Sequence, residues 1–506
     1  MLATVNSATL QGVDGSAVRV EVHVNNGLPG LTIVGLPDAS CREARDRVRA
    51  AVMSSGFKWG DNRVTVNLAP SGIRKVGAGL DLAIAIGFLR ATKAVPNPEG
   101  IDDIAFIGEL GLDGAIRPIV GAVPLVAAVH TGTVVVPEAN ASEAMALGRH
   151  DVVVASTLKE VGEVLNGDAP WSKPSRGEPP EPVAPPDLAD VRGNRMARFA
   201  LEVAAAGGHH MLMVGPPGSG KTMLAERMPG LLGRLGSDEA ISATTVHSAA
   251  GEPLPEDGLI RFPPFRSPHH TTSNTALVGG GSHVLRPGEI SLAHCGVLFL
   301  DELGEFTTQA LDALRQPLES GIVRISRAHV KATMPADFQL IAAMNPCPCG
   351  FGGTLRGHCR CTSAQLGKYA RRVSGPLLDR FDLRIRVEPT DPTELLAAPP
   401  GEPTVTVAER VAQARVRAQR RGVRSNRVLS SSMLERCTSF DPVARGLLDD
   451  ALAEGRLSGR GLRRIRTVAL TLDDLRGGDG VLDLDVVAQA LSLRADFRFD
   501  DPDGGA

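Results

Sequence analysis

Apolar and polar positions at the start of the chain follow patterns that predict strands and a helix. Valine occupies every second position over 18–24, which is the spacing of a half-buried strand. Residues 40–56 carry apolar side chains at helical spacing instead, with Ser40 as the expected N-cap and Gly56 as the stop. The segment 1–166 is therefore predicted to be a mixed α/β domain.

Proline interrupts this pattern and divides the chain. Seven prolines fall within 167–186 and leave no periodic apolar face, so this stretch is predicted to be an extended linker. Strand and helix patterns alternate again over 187–390, which predicts a nucleotide-binding α/β domain. Over 391–506 the spacing becomes helical, which predicts a helical C-terminal domain; its clearest helical segments are 405–422, 441–455 and 458–477.

The second α/β segment opens with a phosphate-binding motif. Residues 215–222 read GPPGSGKT, which matches G-x-x-x-x-G-K-[ST] between an apolar run and a helical pattern. In such a loop the backbone N–H groups surround the phosphates of ATP, Lys221 neutralises their charge, and the Thr222 hydroxyl can ligate Mg²⁺. The predicted nucleotide-binding residues are Gly215, Pro216, Pro217, Gly218, Ser219, Gly220, Lys221 and Thr222, together with Asp301.

Two carboxylates follow a second apolar run. In 297–303 (VLFLDEL) four apolar residues lead into Asp301 and Glu302, which is typical of a buried parallel strand that ends at the carboxyl edge of a sheet. Asp301 is predicted to hold Mg²⁺ through water and Glu302 to polarise the attacking water. The two motifs together predict an enzyme that hydrolyses ATP.

Composition narrows the class of protein. The 506 residues allow about two to four domains. A net charge of −3, from 54 basic and 57 acidic residues, excludes a globally basic surface for nucleic acid and leaves local basic patches as candidates. Neither a signal segment nor an uncharged apolar run of membrane-spanning length is evident, so we expect a soluble, cytoplasmic protein without a membrane partner.

Four of the seven cysteines lie close together in the sequence. Cys347, Cys349, Cys359 and Cys361 form C-x-C, nine residues, C-x-C, and four thiolates can close a tetrahedral structural Zn²⁺ site. The one-residue spacing is tighter than usual, and His358 could replace one thiolate. A set of reduced, metal-free cysteines is the alternative, because an odd number of cysteines in such a chain argues against a disulfide framework.

Several motifs together resemble the YifB/ComM family of magnesium-chelatase-like AAA+ ATPases. The segments that carry the resemblance are 209–222, 265–270 (FRSPHH), 288–303, 345–350 (NPCPCG) and 375–382 (GPLLDRFD). The resemblance implies an AAA+ motor that assembles as a homo-oligomer, with a hexameric ring expected. The best-described members are helicases that drive branch migration of DNA during natural transformation. The alternative is a chelatase-like or protein-remodelling ATPase that moves a protein partner.

The resemblance also implies roles for three further residues. Asn345 is similar to sensor 1, which positions the attacking water, although it could be a turn residue before Pro346. Arg380 resembles an arginine finger supplied to a neighbouring subunit, and the alternative is a surface arginine at a helix end. Arg460 resembles the sensor 2 arginine; the nearby arginines that compete for this role are Arg463, Arg464 and Arg466.

Three cationic segments are candidates for sequence-independent contact with single-stranded or branched DNA. Residues 321–339 predict a hairpin, 246–287 predict an insertion with basic and aromatic groups, and the C-terminal domain has an arginine-rich helix. The hairpin cations are Arg324, Arg327, His329 and Lys331; the insertion holds Arg261, Phe262, Phe265, Arg266, His269 and His270. A solvated hairpin, a subunit-packing element and a solvated helix are the respective alternatives.

The segment 1–166 resembles the Lon-protease-like domain of the same family. Gly79 stands where the proteases carry their nucleophilic serine, and Val123 stands where they carry the lysine base. Without hydroxyl and amine there is no activated nucleophile for acyl transfer. We therefore expect no protease activity and predict a platform that binds DNA or stabilises the ring.

Overall fold

The computed structural model describes residues 1–174, 185–281, 285–327, 330–352, 359–389 and 399–495. Two large sheets organise these residues. No helix in the described ranges is both long and apolar enough to cross a membrane.

The first sheet is mixed and has seven strands. In spatial order they are Gly30–Val34, Asn62–Ala69, Asp14–Asn26, Leu2–Gln11, Ile104–Phe106, Thr133–Pro137 and Asp151–Ala155. The predicted alternation at 18–24 is confirmed, since these valines lie in Asp14–Asn26 and are buried. A short antiparallel pair, Glu109–Leu110 with Ile116–Arg117, lies beside the sheet.

Five helices accompany the first sheet. They are Ala39–Ser54, Asp81–Ala91, Ala122–Ala128, Ala141–Met145 and Leu158–Asn166. The helix predicted over 40–56 forms, but its predicted N-cap is wrong: Asp38, rather than Ser40, accepts a hydrogen bond from the Cys41 N–H at 2.8 Å. The helix ends at Ser54, one residue before its C-cap and two before Gly56.

The second sheet has five strands, and all of its paired strands are parallel. In spatial order they are Phe265–Arg266, Val297–Leu300, Gln339–Met344, Met211–Val214 and Leu383–Arg386. Its helices are Arg195–Gly207, Lys221–Ala225, Met228–Leu232, Ser237–Ala250, Asn274–Val278, Glu289–Leu292, Thr308–Ala313, Arg315–Ser320, Ser363–Arg372 and Gly375–Leu378. The apolar spacing over 187–208 predicts one helix before the phosphate loop. The structure has the helix Arg195–Gly207 there, and it begins later than predicted because the chain breaks at Gly193 and Asn194, both of which have positive φ.

Two antiparallel strand pairs accompany the second sheet. One pairs Ile322–Arg327 with Val330–Pro335 and the other pairs Gly279–Gly280 with Arg286–Pro287. The first confirms the predicted hairpin, and we call it the cationic hairpin. Its buried Val323 and Met334 join the core of the second sheet. Val13, from the turn between Leu2–Gln11 and Asp14–Asn26, belongs to the same core.

Helices dominate the described residues after 399, as the spacing predicted. They are Thr404–Arg420, Ser431–Cys437, Pro442–Ala453, Gly459–Arg476 and Leu484–Ser492, with one small parallel pair, Ser439–Phe440 and Val481–Leu482. Val411 and Val468 from these helices share a core with Leu201 and Met213 beside the phosphate loop strand. The helical segment therefore packs on the parallel sheet near the nucleotide motif.

Candidate nucleotide and metal sites

Three predicted motifs meet at one edge of the parallel sheet. Both Met211–Val214, which precedes the phosphate loop, and Val297–Leu300, which precedes Asp301, pair with Gln339–Met344. Asn345 follows that central strand directly. Because the carboxyl ends of parallel strands lie at the same edge, the phosphate loop, Asp301 and Asn345 are brought together, as the sequence predicted.

Lys221 lies inside the phosphate loop and is mostly buried. Its Nζ donates hydrogen bonds to the carbonyl oxygens of Gly215 at 2.7 Å and Pro216 at 2.8 Å, and lies 3.5 Å from Asn345 Oδ1. Burial lowers the pKa of Lys221, while the nearby Asp301 carboxylate raises it. Gly220 permits the turn into the helix because its φ is 83°. The loop thus holds the Lys221 ammonium against two of its own carbonyl oxygens, next to Asn345.

Thr222 and Asp301 supply the two oxygen ligands expected for a magnesium ion. Thr222 Oγ1 donates to Asp301 Oδ2 at 2.8 Å, so the hydroxyl and the carboxylate converge from two elements. Hydroxyl and carboxylate oxygens are donors that suit Mg²⁺. The residues present therefore fit the ion that the motif implies.

Glu302 is held by its backbone and by a histidine that sequence reasoning assigned no role in the site. Its backbone N–H donates to Asp301 Oδ1 at 2.8 Å, and its φ is 51°, in the left-handed region. His270 Nδ1 lies 3.1 Å from Glu302 Oε2. The His270 ring also lies against the His269 ring, with centroids 4.0 Å apart and planes tilted by 35°. Both histidines belong to the predicted insertion, and the sequence signal that marked them is that 265–270 is one of the motifs that carry the family resemblance.

Arg380 lies near the end of 375–382 and pairs with a glutamate of its own chain. Its guanidinium contacts the Glu319 carboxylate and donates to Pro376 O at 3.3 Å. Its Nε is buried and has no hydrogen-bond partner among the described residues. This geometry neither places Arg380 in the phosphate site of its own chain nor tests a role at a neighbouring one.

The four arginines at the start of helix Gly459–Arg476 differ in what they contact. Arg463 donates to Leu429 O, Arg464 pairs with the buried Asp382, and Arg466 donates to Thr438. Arg460 is exposed, and its side chain makes no hydrogen bond or ion pair to another described residue. Of the four candidates for sensor 2, Arg460 is thus the one that internal contacts leave available.

The four clustered cysteines come together in space. Their sulfur atoms all lie within 4.8 Å of one another, with Cys347 Sγ 3.3 Å from Cys349 Sγ and 3.6 Å from Cys359 Sγ. Four thiolates around one Zn²⁺ at 2.3 Å would be separated by about 3.8 Å. The cluster, which includes Cys361, can therefore hold a metal ion, while His358 lies outside the described residues.

The cationic hairpin presents one polar face and one apolar face. The register pairs Arg324 with Thr333 and Ser326 with Lys331, so these four side chains share a face, and all four are exposed. Neither Arg324 nor Lys331 makes a side-chain hydrogen bond or ion pair to another described residue. The other predicted cations, the Arg327 side chain and His329, lie outside the described residues.

The other two cationic segments use most of their described charges internally. In the insertion Arg266 bonds Glu289 and Glu252, and Arg261 pairs with Asp257. Arginines of the C-terminal segment are engaged in the same way. Arg415 and Arg417 donate to the carbonyl oxygens of Ala205 and Gly478, and Arg421 pairs with Asp474. Arg424 and Arg427 both pair with Asp337. Carboxylates and carbonyls of the same chain thus hold these particular groups, and their contact with DNA stays a prediction.

Gly79 and Val123 make packing and backbone contacts in the segment built on the first sheet, which we call the first layer; the segment built on the second sheet is the second layer. The Gly79 carbonyl accepts from the Gly108 N–H at 2.9 Å. Val123 is buried on helix Ala122–Ala128, which packs against Ser237–Ala250 of the second layer, and its N–H donates to Ser248 Oγ at 3.2 Å. The place where a protease would carry its base is therefore part of the packing between the two layers.

Comparison with known proteins agrees with this arrangement over nearly the whole chain. Three family models match: subunit ChlI of Mg-chelatase over 20–140, magnesium chelatase subunit ChlI over 187–395, and its C-terminal part over 401–494. An uncharacterized protein of Mycobacterium tuberculosis is 44% identical over 497 residues, covering 96% of this chain and 97% of the relative. The protein YifB of Escherichia coli is 40% identical over 499 residues, covering 98% and 97%.

A further relative is the competence protein ComM of Haemophilus influenzae. It is 42% identical over 509 residues, and the alignment covers 98% of each chain. Matches of this identity and coverage, together with the family models, show the family. The chain belongs to the YifB/ComM-type magnesium-chelatase-like family.

Proposed function

We propose that this protein is an ATP-hydrolysing AAA+ motor that forms a ring and moves branched DNA. The observation that carries the ATPase assignment is the meeting of Lys221, Thr222, Asp301, Glu302 and Asn345 at one sheet edge. Membership of a magnesium-chelatase-like family supports the same activity. ATP is the substrate, and Mg²⁺ is the ion that Thr222 and Asp301 would hold to neutralise phosphate charge.

Each residue of the site has a distinct task. The phosphate loop and Lys221 bind and orient the phosphates, and Lys221 does so by exchanging its hydrogen bonds to the Gly215 and Pro216 carbonyls for phosphate oxygens. Glu302 accepts the proton of the attacking water, and His270, 3.1 Å away, orients that carboxylate. Asn345 positions the same water from the neighbouring strand.

Two arginines complete the site from outside the sheet. Arg380 acts as a finger in the site of a neighbouring subunit, after exchanging its contact with Glu319 for phosphate. Arg460 acts as sensor 2 from the helical segment. A site that needs a finger from a second copy requires a homo-oligomer, and we propose a hexameric ring.

The cysteine cluster binds one structural Zn²⁺. The sulfur distances fit a tetrahedral site, and four protein ligands leave no position for a reacting water. When bound, the ion supplies a cross-link between two chain segments. The residues Cys347, Cys349, Cys359 and Cys361 are the proposed ligands.

The exposed face of the cationic hairpin is the proposed DNA contact. Arg324 and Lys331 are exposed on one face, which suits a backbone-directed, sequence-independent contact. The relative named competence protein ComM supports a role in DNA uptake and recombination. A cytoplasmic location is part of this proposal. The first layer, which lacks the protease dyad, serves as a platform that packs against the motor.

The match to a magnesium chelatase subunit favours a second candidate, a motor that remodels a protein partner. Purified protein is therefore assayed for ATPase activity with forked, single-stranded and four-way-junction DNA. We expect DNA to stimulate hydrolysis, and we expect binding to weaken steeply with salt. Robust ATPase activity with no DNA binding and no stimulation would reject the DNA motor and favour protein remodelling.

A further inference from the structure

The segment that carries the first cysteine pair touches the phosphate loop through Gly350. Cys347 is buried two residues after Asn345, and Gly350 packs directly on Pro217 of the loop. A Cβ atom at Gly350 would lie 2.8 Å from Pro217 Cδ, and the φ of Gly350 is 82°, so this close approach requires glycine. The segment that carries the first cysteine pair is therefore one wall of the nucleotide site.

The chain that follows the second cysteine pair returns to Asn345 from the other side. Thr362 caps the helix Ser363–Arg372 immediately after Cys361. From this helix the buried Tyr369 hydroxyl donates to the Asn345 carbonyl at 3.2 Å. The Tyr369 ring also packs against Gly304, close to Glu302, where a Cβ atom would lie 2.4 Å from the ring.

These contacts link the proposed metal site to hydrolysis. Cys347 and Cys349 follow Asn345, which comes directly after the strand Gln339–Met344, while Cys359 and Cys361 precede the helix whose Tyr369 bonds the Asn345 carbonyl. A metal ion bound by the four sulfurs would fix these two chain segments relative to Pro217 of the phosphate loop. We propose that the cysteine cluster is a metal-closed clamp that positions Asn345 and the phosphate loop, so that metal binding and nucleotide binding strengthen each other. The inference rests on the proposed Zn²⁺ site and ATPase.

Thermodynamic linkage makes the proposal testable without an activity assay. If the metal strengthens nucleotide binding by some factor, the nucleotide must strengthen metal binding by the same factor, which is typically about 5- to 150-fold. Zinc transfer from the full chain to a colorimetric chelator is measured with and without Mg·ADP. The affinity for a fluorescent ADP analogue is then measured before and after zinc removal. We expect both affinities to change by the same factor, of about tenfold.

Tyr369→Phe tests the path through the helix, because it keeps the ring and removes the hydrogen bond to Asn345. We expect zinc content to stay at one per chain, kcat to fall about fivefold and KM to change little, since one hydrogen bond that positions the hydrolytic group is lost. Cys437→Ser, a thiol outside the cluster, is the matched control and should leave both affinities unchanged.

The outcomes separate the two levels of the proposal. Bound zinc whose affinity is the same with and without nucleotide, together with wild-type kcat for Tyr369→Phe, would overturn the clamp and leave the metal site standing. Protein that carries no metal would overturn the clamp and the zinc site together. The ATPase assignment depends on neither result, because Glu302→Gln tests it independently.

Discussion

The nucleotide site and the cationic hairpin use their charged residues in opposite ways. In the nucleotide site Lys221, Thr222, Asp301 and Glu302 are fixed by hydrogen bonds to neighbouring groups before any ligand is considered. On the hairpin, Arg324 and Lys331 stand exposed on a strand face whose opposite side is buried in the core. Side chains held in place suit hydrolysis, which depends on the exact position of the reacting groups. Exposed cations suit contact with the DNA phosphate backbone, which depends mainly on charge.

The largest expected effect is at the nucleotide site. Lys221→Ala should abolish nucleotide binding, because it removes the cation that the phosphate loop carries to neutralise phosphate charge. Glu302→Gln should leave binding intact and lower hydrolysis by about 10² to 10⁴, because an amide cannot take a proton from water. Binding of a fluorescent nucleotide and phosphate release measure the two effects, with Glu305→Gln as the nearby carboxylate control. Near-wild-type turnover in Glu302→Gln would show that the catalytic assignment is wrong.

The next effect concerns a residue that acts beyond its own chain. Arg380→Ala should lower hydrolysis by about 10³ or more, as loss of an arginine finger does. Mixing Arg380→Ala with Lys221→Ala subunits should restore part of the activity, because one mixed interface joins an intact phosphate loop to an intact finger. Arg371→Ala, an exposed arginine on the preceding helix, is the control. Mixtures as inactive as their parents would argue against a site shared between subunits.

A smaller effect is expected at His270, the contact that sequence reasoning missed. His270→Ala removes the side chain whose Nδ1 lies 3.1 Å from Glu302 Oε2, so kcat should fall about tenfold, because the Glu302 carboxylate loses the group that orients it. Nucleotide affinity should change little, because His270 contacts Glu302 and not the phosphate loop. His270→Asn should recover part of the rate. An unchanged kcat in His270→Ala would remove this histidine from the mechanism.

The smallest effect per residue is expected on the hairpin. Replacing Arg324 and Lys331 by Ala should weaken DNA binding and reduce the salt dependence of log affinity by about one unit per cation, while basal ATPase stays near wild type. Fluorescence anisotropy across a salt series measures this, with Arg420→Ala on the C-terminal helix as a control of equal charge. If Arg420→Ala weakens binding as much as a hairpin variant, the hairpin has no special role.

The sequence predicted most of the nucleotide site and little of what surrounds it. The phosphate loop, Asp301 and Asn345 could be predicted, because each belongs to a local pattern in the sequence. Parallel strands end at one edge of the sheet, so the three were expected to lie together. The pairing of His270 with Glu302 and the contact of Gly350 with Pro217 depend on which strands become neighbours and how closely loops pack, and no spacing encodes them. The pairs Arg421–Asp474 and Arg427–Asp337 of the C-terminal segment could not be predicted either, since the two partners of each pair are distant in sequence.

The most direct test of the central claim is movement of a synthetic four-way junction by the purified protein. With ATP and Mg²⁺ we expect the wild type to convert the junction to its products, while Glu302→Gln binds the same junction and leaves it intact. The Arg324→Ala, Lys331→Ala double variant should move it more slowly at equal basal ATPase. Junctions that stay intact while wild-type hydrolysis proceeds would contradict the claim that hydrolysis is coupled to DNA.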